Sequence, residues 1–175
     1  MVIEFVKGES SSNKRDVVRI IRTDGTTAYT YLHPYFPLHD LLHYVVETEL
    51  ELHESFWGLL ARGWHFDDFA TKNPATGKLL KIQPEQALAV EELVGFLQLA
   101  ETGSVSRDPA DLQRLMGEQS WVAKISPMGI ITSESIGAIQ NRFAALRKEW
   151  TAIASGDVLK LVFPYHHPAI ETILY

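Results

Sequence analysis

Val2 to Val6 alternates apolar side chains around Glu4, the period of two that marks a strand with one buried face. Val17 to Thr23 and Thr26 to Leu32 are rich in β-branched and aromatic residues and predict two further strands. Between them stands Asp24-Gly25, the pair that type I′ hairpin turns favour because both central positions need positive φ. Strands joined without helices imply antiparallel pairing, since parallel neighbours need long crossovers. The period then lengthens. Leu38, Leu41, Leu42, Val45 and Val46 recur at helical spacing and predict a helix from Pro37 to about Leu52, with Pro37 in its first turn. Phe56 to Ala61 predicts a short helix ending at Gly63, whereas Trp64 to Lys81 fits a loop or a small hairpin equally well.

Further along, Pro84 opens a helix with the stripe Val90, Leu93, Val94, Leu97 and Ala100, closed by Gly103. Asp108 caps a short helix through Met116, and Ser133 to about Ala154 predicts a long one ended by Gly156. Val158 to Phe163 is apolar on both sides of Lys160, which suits a strand inside a sheet. The order β-β-β-helices-β gives an α+β class: an antiparallel sheet of about four strands with helices packed on one face. With 175 residues and no linker-like stretch, residues 1–175 read as a single domain.

Composition narrows the function classes. Hydrophobic residues at 46% and charged residues at 22% match an ordinary folded domain and disfavour disorder. Sixteen Lys and Arg against 22 Asp and Glu leave a net charge of −6, the wrong sign for a chain that neutralises phosphates, so no nucleic-acid partner is expected. The densest basic stretches, Lys14-Arg15 with Arg19 and Arg22, and Arg142 with Arg147-Lys148, read as solvated faces. Without cysteine there are no disulfides, thiolate metal sites or cysteine nucleophiles. No membrane span and no secretory leader is legible, and the expectation is a cytoplasmic protein. A Gly-rich phosphate loop and a Gly-x-Ser-x-Gly nucleophile elbow are also absent.

What remains is a histidine pattern. Of the seven histidines, at 33, 39, 43, 53, 65, 166 and 167, His39 and His43 lie four apart on the helix, with Glu47 four further on. Residues at that spacing share a helix face, here one flank of the apolar stripe, expected to lean partly toward solvent. Two imidazoles one turn apart can chelate Zn²⁺ or another divalent metal, with Glu47 as a candidate third ligand. His65, Asp67, Asp68, His166 and His167 are the other candidates for that position. The string His39-Asp40-Leu41-Leu42-His43 resembles the zincin pattern His-Glu-x-x-His with Asp for Glu. That resemblance gives Asp40 the role of general base, with a side chain one methylene shorter.

Pro37 to Glu47 followed by Phe56-Trp57-Gly58 also resembles a group of bacterial hypothetical proteins sharing a His-Asp-x-x-His, Val-Glu and Phe-Trp-Gly pattern. The resemblance covers about residues 37–63; it implies a bacterial origin and carries no catalytic assignment. Two function classes follow. One is a metal-dependent hydrolase, its metal on His39, His43 and Glu47, with Asp40 or Glu47 taking a proton from water and a small molecule as substrate. The other is a non-catalytic interaction module or homodimerising domain without metal, presenting part of its aromatic surface to a protein partner. The run from Phe56 to Phe69 is read mainly as core, with Tyr29, Tyr31, Tyr35 and Tyr44 making any adjoining pocket amphipathic.

Overall fold

A computed structural model describes residues 1–9, 14–33, 36–70, 72, 74, 76–77, 81–125 and 131–164. The first three strands, β1 (Val2–Val6), β2 (Val17–Ile21) and β3 (Thr27–Tyr31), form a meander. The last, β4 (Val158–Val162), returns to the free side of β1, giving a four-stranded sheet of order β3-β2-β1-β4 with every pairing antiparallel. Alternation along the strands does what the sequence pattern requires. Ile3, Phe5, Val18, Ile20, Leu159 and Leu161 are buried on one face, against the helices. The outer face carries a charged row: Glu4 sits opposite Arg19 on β2 and Lys160 on β4, and accepts hydrogen bonds from the Arg19 guanidinium.

Two expectations are corrected. The β2–β3 turn is a three-residue loop, in which Arg22 N–H donates to the Thr26 carbonyl at 2.9 Å and Gly25 N–H to the Arg22 carbonyl at 3.0 Å. Gly25 is left-handed, at φ 83°, and Asp24 is not, so this is no type I′ turn. The Asp24 carboxylate instead accepts from both the N–H and the hydroxyl of Thr26, closing the loop from its side chain. The second correction is β4, which lies at the sheet edge. Its residues are apolar on both faces because Val158 and Val162 stand exposed on the outer one, beside Lys160, and not because a second layer covers them.

On the covered face lie α1 (Phe36–Glu49), α2 (Phe56–Ala61), a 3-10 turn over Phe66–Phe69, α3 (Glu85–Glu101), α4 (Pro109–Gly117), α5 (Val122–Ile125) and α6 (Ser133–Ala152). Asp108 caps α4 as its sequence implies, accepting from Ala110 and Asp111 N–H. Helix α6 stops at Ala152, and Gly156, at φ 86°, belongs to the turn that feeds β4. The apolar stripe of α1, Leu41, Leu42, Val45 and Val46, is wholly buried between α2, α3 and α6. Tyr44 on the same helix donates its hydroxyl to the Val162 carbonyl at 3.1 Å and receives Arg142 of α6, tying three elements together. Among the described residues no helix is long and apolar enough to cross a membrane.

Helix α2 has only six residues, too few to be stable alone, and is fixed by its surroundings. Trp57 fills the core edge-on to Phe5, with ring centroids 6.0 Å apart. A Cβ on Gly58 would lie 2.3 Å from the His53 carbonyl oxygen, so the chain before α2 approaches it as only glycine permits. Arg22 is not the solvated residue its sequence neighbours imply. It is buried, donating to the Leu60 carbonyl at 2.6 Å and the Trp64 carbonyl at 2.7 Å, where its positive charge meets the C-terminal end of α2.

Candidate functional site

The other end of α2 begins the site. Ser55, at the N-cap position, makes no side-chain capping bond. The acceptor comes from α1: Glu47 Oε2 takes the N–H of Trp57 at 2.9 Å and of Gly58 at 3.2 Å, two donors a local cap would otherwise satisfy. Trp57 answers by donating its indole N–H to the Asp40 carbonyl at 3.1 Å. The polar flank of α1 is thus pinned to α2 at both ends, seven residues apart. The expectation that this flank leans partly toward solvent holds for His39, whose side chain is 26% exposed, and fails for His43 and Glu47, over which α2 and α3 close. Asp40, His43 and Glu47 are all buried, Glu47 completely.

His43 stands between two carboxylates. Its Nδ1 lies 3.4 Å from Glu47 Oε1, and its Nε2 lies 3.3 Å from Glu91 Oε1 of α3. Both are ion-pair distances without the alignment of a hydrogen bond. Glu91 also faces His39, its Oε2 3.7 Å from Nε2. The two imidazoles meet edge to face with centroids 4.7 Å apart. His39, His43 and Glu91 can each turn one ligand atom into a group lying within 4.8 Å of one another. Glu47, expected beside these donors, is on the far nitrogen of His43, holding the ring from behind.

Charge follows from this arrangement. Burial disfavours imidazolium at His43, but the carboxylates of Glu47 and Glu91 outweigh it and raise the pKa to about 10. His39 moves down, through burial and the neighbouring His43, with Glu91 opposing. Burial alone would raise Glu91, yet the facing histidines bring it below the usual carboxylate range. Asp40 is pushed up to about 7, chiefly by burial, with His43 opposing and Glu91 and Glu47 adding to the rise.

A cavity of about 540 Å³ opens in front of these groups. Asp40, His39, His43 and Glu91 form one wall, Phe56, Phe66 and Phe69 another, and the end of β3 a third. Phe56 links the polar and aromatic parts, with its ring 5.6 Å from His43 and 4.8 Å from Phe69. The stretch after α2 therefore supplies cavity lining as well as core. Tyr31 borders the cavity while its ring packs edge to face on Tyr29 on the outer sheet face, and Tyr44 points into the α1–α6 contact. Tyr35 lies outside the described residues, as do His166 and His167. Of the other candidate ligands, Asp67 lines the cavity, Asp68 is held by Lys81 at 2.8 Å, and His65 caps the 3-10 turn.

Glu91 had no place among the sequence candidates. Its signal is faint: Glu91 and Gln98, seven apart, lie on one flank of the α3 stripe as His39, His43 and Glu47 do on α1. No protein-family model, no curated protein and no solved structure matches this chain.

Stability and titration both test this geometry. Glu47→Ala strips His43 and two α2 N–H groups of one buried carboxylate and is expected to cost about 3–5 kcal/mol in urea unfolding. Glu47→Gln, which keeps an acceptor oxygen, is expected to lose clearly less. An imidazole whose pKa is higher in the folded chain stabilises the fold below its unfolded value and ceases to do so as pH rises through the folded one. In chelator-treated protein, stability is therefore expected to fall between pH 6.5 and about 10 as His43 loses its proton. In the same protein, ¹⁵N NMR is expected to find His43 the last histidine to deprotonate; a His43 pKa below 6.5 would contradict this charge assignment.

Proposed function

We propose that His39, His43 and Glu91 hold a single divalent metal ion, with zinc the natural fit, and that the cavity beside it hydrolyses a small substrate. One observation carries the reading. His39, His43 and Glu91 each offer one ligand atom within 4.8 Å of the others, with Glu91 Oε1 3.3 Å from His43 Nε2 and Oε2 3.7 Å from His39 Nε2, so small side-chain rotations bring them to the ~3.3–3.6 Å edge of a tetrahedron whose ligands lie at ~2.0–2.2 Å from zinc. Two nitrogens and one oxygen leave the fourth position facing the cavity, the pattern of a catalytic rather than a structural zinc site.

The donor chemistry supports it too. The lowered pKa of His39 keeps a lone pair available, an ion at His43 would displace the proton that its carboxylates hold there, and Glu47 behind His43 Nδ1 is the carboxylate–histidine pairing that orients metal-bound imidazoles. A divalent ion here would supply Lewis-acid chemistry, polarising a carbonyl or lowering the pKa of a water. The chain's own residues do the rest. Asp40, a buried carboxyl on the cavity wall, takes the proton in this reading; Glu47 fixes the His43 ring; the phenylalanines hold the substrate body and keep bulk water out. Relative to the zincin pattern, the acid at the second position is the shorter one, so its reach is set by α1 itself.

Protein purified without a histidine tag is expected to carry, or to take up on reconstitution, close to one zinc per chain by mass spectrometry of metals. A His39→Ala/His43→Ala variant that keeps its circular dichroism spectrum is expected to carry none. Absence of metal after reconstitution would overturn the reading and return the chain to the interaction-module class.

A further inference from the structure

The walls of the cavity differ in a way that selects its ligand, and the selection deepens the hydrolase reading, on which it rests. The charged residues lining it are Asp40, Asp67, Glu91 and His43, whose imidazolium stands between Glu47 and Glu91; no lysine or arginine lines it among the described residues. Lys72, two residues beyond the lining Ala70, is exposed, and two other nearby cations are committed elsewhere. Lys81 binds Asp68 and lies over the Trp64 ring at 3.9 Å, and Arg22 is spent on the carbonyls of Leu60 and Trp64. An anion entering the cavity would leave its hydration shell to face carboxylates, and the one cationic ring there, His43, is already flanked by Glu47 and Glu91.

The opposite wall is aromatic. Phe56 is tilted by 57° to Phe69 and by 55° to Phe66, with centroids 4.8 Å and 6.2 Å away, so differently inclined faces border one space. Such rings receive flat apolar groups by stacking or edge contact, and their faces attract positive charge. At the junction of the two walls His43 Nε2, on a side chain 98% buried, lacks an aligned hydrogen-bond partner. A volume of about 540 Å³ falls within the range that encloses a whole small molecule.

We infer that this cavity takes a small uncharged or cationic molecule with a flat apolar body, and excludes carboxylates and phosphates. The bond cleaved is then an ester or amide of such a molecule and not a phosphoester. Water adds its oxygen to the acyl carbon, the acyl C–O or C–N bond breaks, and the proton taken by Asp40 passes to the departing alcohol or amine. The acid product then ionises.

Chelator-treated protein, titrated with benzyl alcohol, benzylamine and benzoate by ligand-observed NMR, separates the possibilities. These probes share one ring and differ in the charge of the head, and removing metal prevents benzoate from binding through an ion. The alcohol and the amine are expected to bind at least about tenfold more tightly than benzoate, the factor that ~1.4 kcal/mol supplies. Phe69→Ala is expected to weaken the alcohol by about tenfold, as loss of ring contacts worth ~1.5 kcal/mol implies. Asp67→Lys, on an exposed turn, is expected to admit benzoate. Benzoate binding as tightly as the alcohol, or no binding of any probe at about 10 mM, would overturn the inference. Zinc uptake by the same preparation is scored separately. Zinc without probe binding defeats the ligand class and leaves the metal centre standing; probe binding without zinc does the reverse.

Discussion

The carboxylate of Glu47 is the constraint on which the site depends. It lies wholly inside the protein, where an unpaired charge would be prohibitive, so it must find partners for that charge. It does so by reaching across from α1 to the first N–H groups of α2 with one oxygen and to the His43 ring with the other. Helix α2 is too short to persist by itself, and its two ends are met by opposite charges, Glu47 at the start and Arg22 at the finish. Position and chemistry are therefore one arrangement. The group that anchors α2, and with it Phe56 on the cavity wall, also sets the orientation of His43.

Much of the fold is legible in the sequence because it depends on short-range pattern. Period two in Val2–Val6, period 3.6 in Leu38–Val46, and the caps at Asp108 and Gly103 act within a few residues and are read directly. The misreadings have physical causes of the same kind. Asp24-Gly25 has the composition of a type I′ turn, but the Asp24 side chain bonds Thr26 and stabilises a three-residue loop instead. The apolar run at Val158 resembles an interior strand because an edge strand can expose valines where a charged cross-strand row lies between them.

The site was half legible. The spacing of His39 and His43 fixes their common face through helix geometry alone, and nothing tertiary is needed to see it. Whether that face meets water depends on what packs over it, and the burial of Asp40, His43 and Glu47 arises from α2 and α3, far along the chain. Glu91 escaped notice for the same reason. A carboxylate 48 residues beyond His43 is brought near by the α1–α3 contact, which no local period encodes. Arg22 is the parallel case: a basic residue in a charged stretch that becomes an internal cap once α2 is in place.

The account ties a metal centre to an acidic, aromatic cavity through a single buried carboxylate, and its central claim is the identity of the three ligands. Anomalous diffraction at the zinc edge, on crystals of the zinc-loaded protein, tests that claim most directly. The account predicts one peak per chain, about 2.0–2.2 Å from a nitrogen of His39, a nitrogen of His43 and an oxygen of Glu91, with Glu47 still on His43 Nδ1. A peak bound by other residues, or no peak at this cavity, would contradict it.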